Sequence, residues 1–332
     1  MNSFGRIFRV SIYGESHGPS LGIILDGCPA GISLVEKNFD PDIQRRNPPL
    51  AGTTARKETD RPQLLSGVFK GQTTGSPIHV LFVNKDIEPS VYEAIRNVPR
   101  PGHADFTAQK KFGGFQDYRG GGHFSGRLTL GIVAAGVVAK KILAPISIQA
   151  RITEAGGSTK IQEAIEAAQK KQDSIGGIVE CECEAIPPGL GEPFFDSVES
   201  LLSHILFAIP AIKGVEFGSG FRSAHMTGTE HNDLIIDTDG TTETNHSGGI
   251  NGGISNGNPI QFRVAVKPTS SIQQKQRSVN IKTGQQTDLE VEGRHDTCIA
   301  LRVPVIVEAA AAIVLADLML LAQQTPRLYP SS

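Results

Sequence analysis

The sequence contains no tryptophan and only four cysteines, at positions 28, 181, 183 and 298. No two of them form a CxxC pair, so the spacing indicates neither a zinc site nor a dense disulfide framework. Cys181 and Cys183 alternate with glutamates in a strand-like run, which places both thiols on one face of a strand. We interpret that face as core, because reduced thiols are among the most buried side chains, and a redox or metal pair is the alternative.

An excess of charge is also absent. The formal net charge of −2 provides no global field to attract nucleic acid or an anionic membrane. Aromatic residues make up 6% of the chain and do not cluster with cations, so we expect no stacking platform for nucleic acid. The nine histidines include no HExxH pair, and we expect no metal site.

Long hydrophobic runs are missing as well. Residues 1–10 lack the apolar core of a signal peptide, since Arg6 and Arg9 interrupt them. The most apolar stretch, 309–322, is too short to span a bilayer and contains Asp317, which favours a buried helix. We therefore expect a cytoplasmic protein that does not enter a membrane.

The apolar residues, 39% of the chain, are sufficient for a large core. Their periodicity predicts strands at 7–12, 78–83, 177–184 and 260–266, and helices at 127–143, 160–171, 196–209 and 305–321. Asp196 and Glu199 have the spacing of a helix N-cap and its third residue. The mixture indicates an α+β or α/β protein.

Glycine is abundant, with 37 residues concentrated in the loops 113–126, 214–228 and 248–257. Residues without a Cβ accept positive φ and let backbone N–H groups approach a ligand. The sequence has no GxGxxG fingerprint and no Walker P-loop, so ordinary dinucleotide and nucleoside-triphosphate sites are disfavoured. The loops are candidates for another ligand, and ordinary turns are the alternative.

Two histidines lie in short polar motifs. His17 belongs to GESHG after a predicted strand, and His103 belongs to RPGHAD in a proline and glycine turn. Histidine is suited to proton transfer near neutral pH, so the two could serve one catalytic site, although a loop histidine is often simply solvated.

Several segments could hold anions. The segment 117–127 places glycines, Arg119 and Arg127 where a helix pattern begins, as in a phosphate site, although a surface turn has the same composition. Residues 245–253 and 267–271 offer amides, hydroxyls and an ammonium, which suit a phosphate or the polar edge of a flavin.

In this order, the segments resemble the chorismate synthase family along nearly the whole chain. The matching motifs are GESHG (14–18), QRRNP (44–48), RPGHAD (100–105), DYRGGGHFSGR (117–127), GLGEPFFD (189–196), IKGVEFG (212–218), NHSGGINGGIS (245–255), KPTSSI (267–272) and GRHD (293–296). The resemblance implies an α+β fold, a β-α-β sandwich of two similar halves in one domain over residues 1–332, and a homotetramer.

The resemblance also implies the reaction. It is a 1,4-anti elimination of phosphate from 5-enolpyruvylshikimate 3-phosphate, giving chorismate in the last step of the shikimate pathway. Reduced FMN is required without net redox change. NADPH enters only indirectly as a flavin reductant, and whether a separate flavin reductase supplies the reduced cofactor stays open.

Roles follow from matching motifs. His17 would protonate the departing phosphate, His103 would stabilise the protonation state of the reduced flavin, and Asp296 with Ser16 would tune proton relay near flavin N5. The candidates for the substrate anions are Arg46, Arg45, Lys57 and Arg127. The implied flavin contacts are His123, Phe124, Ser125, Pro210, Ala211, Gly252, Lys267, Pro268, Thr269, Ser270, Ser271 and Arg294.

We expect Arg46, Arg127 and Arg294 to share one cationic pocket, because substrate and cofactor together carry many negative charges. The sequence departs from many members at 123–127, where HFSGR replaces RSSAR, and no further arginine can be placed in the loop after Arg46. The competing hypothesis is a non-catalytic flavin- or phosphoanion-binding protein, which would have no need for two loop histidines and Asp296.

Overall fold

The computed structural model describes residues 2–48, 52–53, 59–85, 92–93, 96–291, 295–326 and 329. Two of the predicted ligand residues, Lys57 and Arg294, lie outside the described residues. The helices are α1 (Asp40–Arg46), α2 (Asp105–Phe112), α3 (Thr129–Leu143), α4 (Ile161–Lys170), α5 (Val198–Ala208), α6 (Gly228–His231) and α7 (Val303–Leu321).

Strands form two larger antiparallel sheets and three short hairpins. The strands are β1 (Ser3–Phe4), β2 (Arg9–Gly14), β3 (Ser20–Asp26), β4 (Gln63–Ser66), β5 (Val68–Phe69), β6 (Gln72–Thr73), β7 (Ile78–Val83), β8 (Ser147–Ala155), β9 (Gly177–Glu184), β10 (Ile212–Phe217), β11 (Ile250–Asn251), β12 (Ile254–Ser255), β13 (Ile260–Val266), β14 (Gln276–Val279) and β15 (Gln286–Leu289). The first sheet has the order β1-β2-β3-β7-β4, and the second has the order β10-β13-β9-β8.

Helices α3 and α7 form a layer between the two sheets. They pack on each other, while α3 also contacts β2 and β3 and α7 contacts β8 and β9. Small residues permit this close approach, since a Cβ on Gly136 would lie 2.3 Å from the Cβ of Ala309. The predicted β-α-β sandwich is confirmed.

The expectation that the most apolar stretch is too short to span a bilayer is wrong, because the helical segment Ile299–Leu321, which includes α7, is long and apolar enough to cross a membrane. However, 89% of its most apolar window is buried inside the fold. That burial is typical of a core helix. The carboxylate of Asp317, near the end of α7, accepts hydrogen bonds from the backbone N–H groups of residues 6, 7 and 8 at 2.9, 2.7 and 2.8 Å. These hydrogen bonds stabilise the buried carboxylate in an apolar helix and attach the N-terminal segment to α7.

The sequence patterns locate most elements well. The predicted strands 78–83, 177–184 and 260–266 coincide with β7, β9 and β13. Cys181 and Cys183 are free and fully buried, which confirms that they belong to the core.

The predicted N-cap of α5 is wrong by one residue. Ser197 has extended backbone and its Oγ accepts the N–H of Ser200 at 3.0 Å. Asp196 instead forms an ion pair with Arg6. The hydroxyl therefore caps the helix, and the carboxylate ties it to the N-terminal segment.

Candidate active site

A cavity of about 640 Å³, here called the main cavity, lies beside the segment that follows β13. Its volume falls in the usual range for small-molecule and cofactor sites. Most of the predicted flavin contacts line it, together with one predicted catalytic histidine: His103, His123, Phe124, Ser125, Pro210, Ala211, Lys267, Pro268, Thr269, Ser270 and Ser271. The fold thus brings together residues that are up to 168 positions apart in the chain.

The lining combines an apolar wall with a polar rim. Ile12, Leu128 and Ile132 contribute aliphatic surface, and hydroxyl groups come from the segment 269–271. Within the part of the chain that the structure describes, the buried Oγ1 of Thr269 has no hydrogen-bond partner. A buried hydroxyl without a partner is costly, so a ligand with a polar edge would stabilise this wall.

A glycine loop, Arg119–Phe124, separates the two predicted catalytic histidines. Gly120, Gly121 and Gly122 have φ values of +59°, +82° and +53°, which side chains rarely adopt. A Cβ on Gly120 would lie 2.2 Å from Nδ1 of His17, and one on Gly121 would lie 3.2 Å from Nε2 of His103. Both histidines therefore pack directly against this loop, and a side chain at position 120 would collide with His17.

Ser16 and His17 are both buried beside the glycine loop. The N–H of Ser16 donates to the carbonyl of Gly122 at 3.0 Å, and the ring of Tyr92 meets His17 edge-on at 5.0 Å between centroids. Neither Ser16 nor His17 belongs to the described residues that line the cavities, whereas Gly120 lines the main cavity.

His103 is held in a network at the edge of the main cavity. Its Nδ1 lies 2.6 Å from Oδ1 of Asp105, which also binds Arg100. Burial alone would raise the pKa of Asp105, but hydrogen bonds from Arg100 and His103 outweigh it and hold that pKa well below its ordinary value. The carboxyl group is therefore ionised at neutral pH.

A second cavity, of about 230 Å³, adjoins the main one and is here called the arginine cavity. Arg46, Arg127, Asp296 and Arg302 line it. The two cavities share part of their lining: Ser125, Gly126, Thr129, Ile209, Pro210 and Ile299. Two ligands bound in them would therefore lie side by side.

Carboxylates and neutral groups hold these guanidinium groups. Arg127 pairs with the buried Asp60 at 2.8 Å, and Arg46 lies 3.9 Å from the same carboxylate. Arg302 makes a bidentate pair with Asp296 at 2.8 and 3.1 Å. The described part of the arginine cavity thus brings three guanidinium groups together, and guanidinium groups bind oxyanions in bidentate fashion.

Arg46 is the most strongly perturbed of the three arginines. Burial lowers its pKa to about 10, and repulsion from Arg127 and Arg302 contributes while Asp60 opposes it. Its Nε donates to the Thr129 hydroxyl at 3.1 Å. With a pKa of about 10 it remains a cation at neutral pH.

Asn84 connects the arginine cavity to the loop of His17. Its Oδ1 accepts from Nε of Arg127 at 2.9 Å. Its Nδ2 donates to the carbonyls of Glu15 and Gly18 at 3.1 and 2.8 Å. The side chain of Asn84 therefore joins Arg127 to the loop of His17 by direct hydrogen bonds.

With this geometry in place, comparison with known proteins identifies the family. The family model described as chorismate synthase matches residues 8–320. The chain belongs to the chorismate synthase family.

Relatives match over nearly their whole length. A protein named chorismate synthase from Chitinophaga pinensis is 59% identical over 330 residues, covering 99% of each chain. One of the same name from Dehalococcoides mccartyi is 44% identical and covers 98% of each chain. A crystal structure described as chorismate synthase has a TM-score of 0.76 at 28% identity, covering 96% of this chain and 93% of that one.

Two residues that the chorismate synthase resemblance implies as ligand contacts lie outside the described linings of both cavities. Arg45 is adjacent to Arg46, but its guanidinium binds Glu308 at 2.6 and 2.7 Å and it does not belong to the described lining of either cavity. Gly252 lies in the turn between β11 and β12, outside those linings and facing open space. The helical period explains why Arg46 lines the arginine cavity and Arg45 does not, because adjacent residues of a helix point in different directions.

His123, the first residue of the HFSGR segment, also lines the main cavity. Its Nδ1 lies 2.7 Å from the carbonyl of Gly14 and its Nε2 lies 3.2 Å from Oδ1 of Asn2. The imidazole therefore connects the glycine loop to the first sheet.

The motifs did not assign three residues that the structure places at the site. Arg302 lines the arginine cavity, Asp60 pairs with Arg127, and Asp105 binds His103. Asp105 lies within RPGHAD, so its proximity to His103 could have been inferred from the sequence. Asp60 and Arg302 reach the site only through tertiary contacts, which spacing does not encode.

Proposed function

We propose that the chain is a chorismate synthase, a carbon–oxygen lyase acting on a phosphate ester. It converts 5-enolpyruvylshikimate 3-phosphate to chorismate by 1,4-anti elimination, removing the 3-phosphate and the C6 pro-R hydrogen. The observation that carries this proposal is the adjoining pair of cavities, one of cofactor size and one lined by arginines, with His103 at the edge of the first.

We propose that FMN binds in the main cavity. The aliphatic wall suits the flat isoalloxazine, and Lys267, the hydroxyls of Thr269 to Ser271 and the backbone at Pro210 and Ala211 suit its polar groups. Thr269 Oγ1, buried without a partner among the described residues, offers a hydrogen bond to such a ligand. Reduced FMN, when bound, supplies the electron density that assists carbon–oxygen cleavage.

The arginine cavity suits the substrate, whose carboxylates and phosphate need fixed cations. Arg46, Arg127 and Arg302 would bind these groups, since guanidinium is permanently charged and binds oxyanions in bidentate fashion. His17 would give a proton to the departing phosphate, which reduces the charge that develops on it. His103 would stabilise the protonation state of the reduced cofactor, and Ser16 with Asp296 would assist the removal of the substrate proton.

We also propose the cellular setting that the family implies. The chain would form one domain and assemble as a homotetramer in the cytoplasm, and NADPH would act only indirectly by reducing the flavin. Exposed phenylalanines at 194, 195 and 221 support burial in an assembly, because they are 85, 91 and 82% exposed in the single chain.

An anaerobic phosphate-release assay tests the activity. We expect phosphate and chorismate in equal amounts with reduced FMN, and no turnover with oxidised FMN under strictly non-reducing conditions. Parallel reactions with NADPH, with and without a flavin reductase, show whether the chain reduces its own cofactor. Full turnover with oxidised FMN would exclude the mechanism, and binding of both ligands without phosphate release would favour a non-catalytic binding protein.

A further inference from the structure

The network around His103 contains a carboxylate to which the sequence motifs give no role. Asp105 begins α2, two residues after His103, and its Oδ1 lies 2.6 Å from Nδ1 of the imidazole. The opposite edge of the ring, at Nε2 and Cε1, faces Gly121 of the glycine loop. The histidine, which itself lines the main cavity, therefore has one nitrogen bound by a carboxylate and the other directed toward the glycine loop.

The short contact determines which nitrogen carries the proton. If Nδ1 were unprotonated, its lone pair would face a carboxylate oxygen at 2.6 Å, which is repulsive. With a hydrogen on Nδ1 the same distance is that of a charge-assisted hydrogen bond. Arg100 Nη2 lies farther from Nδ1, at 3.1 Å, and already donates to Oδ1 at 2.8 Å. The neutral ring thus carries its proton on Nδ1 and keeps Nε2 as an acceptor.

Arg100 fixes the carboxylate in turn. Its backbone N–H and Nε donate to Oδ2 at 3.0 and 2.8 Å, and its Nη1 donates to Oγ of Ser271 at 3.2 Å. The carbonyl of Gly102 accepts from Oγ of Ser270 at 2.8 Å. The turn of His103 is therefore attached at two points to the segment that forms the polar rim of the main cavity.

We propose that Asp105, held by Arg100, is a positioning residue that fixes His103 as the Nδ1–H tautomer and directs Nε2 toward the glycine loop at the edge of the main cavity. The proton that His103 takes or gives then moves at Nε2, and the adjacent carboxylate stabilises the imidazolium that results. The catalytic consequence rests on the proposed function, whereas the tautomer itself does not.

Nitrogen-15 spectra of histidine-labelled protein test the tautomer directly, with His103→Gln used to assign the resonances. In the wild-type chain we expect Nδ1 protonated and Nε2 of acceptor type. In Asp105→Asn the amide oxygen would turn to the Arg100 guanidinium, leaving the amide NH₂ against Nδ1, so the proton should move to Nε2. Turnover with reduced FMN should fall by about 10²- to 10⁴-fold, with a much smaller change in FMN affinity.

Two further variants separate positioning from general damage. Asp105→Glu keeps a carboxylate and should retain more of the Nδ1–H tautomer and of the turnover than Asp105→Asn. Glu308→Gln removes another arginine-bound buried carboxylate, far from His103 in the chain, and should leave the His103 resonances unchanged. A wild-type Nε2–H tautomer, or an Asp105→Asn variant with wild-type spectrum and turnover, would overturn the proposal. If the wild-type chain releases no phosphate, the proposed function fails while the spectra still decide the tautomer.

Discussion

At the scale of single residues, the neighbouring side chains of Arg45 and Arg46 in α1 have different surroundings. Arg46 is buried at the arginine cavity, and Arg45 pairs with Glu308 on another side of α1. The two positions therefore form a matched pair in which a binding role can be separated from a structural one.

Replacing each arginine by alanine tests that difference. Arg46→Ala should weaken substrate binding by about 10- to 100-fold, because a charge-assisted hydrogen bond to an anion is lost. Arg45→Ala should leave substrate affinity nearly unchanged and lower the free energy of unfolding by about 1–3 kcal/mol, since Glu308 loses a partner. Equilibrium substrate titration and urea unfolding measure the two effects. Equal losses of affinity in both variants would contradict the assignment of Arg46.

The two histidines should matter for turnover rather than for binding. His17→Ala and His103→Ala should each lower turnover by about two to four orders of magnitude, because a proton transferred in the transition state contributes little to the ground-state complex. Anaerobic stopped-flow turnover with parallel binding titrations for FMN and substrate measures this split. If both variants kept near-normal turnover, neither histidine would be catalytic, whatever the family.

At the scale of elements, the glycine loop is the feature that most depends on residue size. Gly120→Ala should lower turnover by about 10²-fold, because a Cβ 2.2 Å from His17 Nδ1 must displace the imidazole. Gly157→Ala is the matched control: its φ of +79° imposes similar backbone strain, but no atom lies within 4 Å of the new Cβ. The control should cost about 1–2 kcal/mol of stability and keep its turnover. Equal turnover in both variants would show that the loop tolerates a side chain beside His17.

The ion pairs of Glu308 with Arg45 and Lys140 should make the free energy of unfolding depend on pH in acid. Burial alone would raise the pKa of Glu308, but a hydrogen bond from Arg45 and the charge of Lys140 lower it overall from 4.5. A carboxyl group with a depressed folded pKa contributes stability above its unfolded pKa and loses it as the pH falls through the folded value.

Urea unfolding between pH 7 and pH 3 measures this contribution. The wild-type free energy of unfolding should decline below about pH 4.5. Glu308→Gln should be less stable at pH 7 by about 2 kcal/mol and should decline less steeply in acid, because it has no proton to gain. Parallel pH profiles for the two proteins would show that Glu308 contributes nothing to acid sensitivity.

Sequence periodicity predicted the elements better than their ends. The strand β13 alternates buried and partly exposed residues, and the alternation is legible in its sequence. Asp196 and Ser197 could each cap the N-terminus of α5. Ser197 caps it, whereas Asp196 forms an ion pair with Arg6, which is nearly two hundred residues away in the chain. Such long-range partners are absent from any local pattern.

At the scale of the whole molecule, the site likewise has a part that local sequence predicted and a part that depends on long-range contacts. Motifs led to His17, His103 and Arg46, whose chemistry is recognisable locally. Asp296 pairs with Arg302 only six residues away, but the counter-ion Asp60 acquires its partner Arg127 only when distant segments meet, so the pairing at the arginine cavity could not be read from the sequence. The family resemblance predicted the sandwich, whereas composition alone indicated only mixed α and β structure.

The homotetramer is the last prediction, and exposed apolar residues motivate it. Phe194 and Phe195 are adjacent and 85 and 91% exposed, although a monomer gains nothing from leaving two neighbouring aromatic rings in water. We expect light scattering after size exclusion to give four times the chain mass of 35.4 kDa. Phe195→Glu should weaken the assembly, because a carboxylate cannot be buried at an apolar interface without a partner. Lys160→Glu, which adds a carboxylate at an exposed polar position, should leave the mass unchanged. A wild-type mass equal to one chain at micromolar concentration would exclude the tetramer, and an unchanged mass for Phe195→Glu would show that this aromatic pair lies outside the interface.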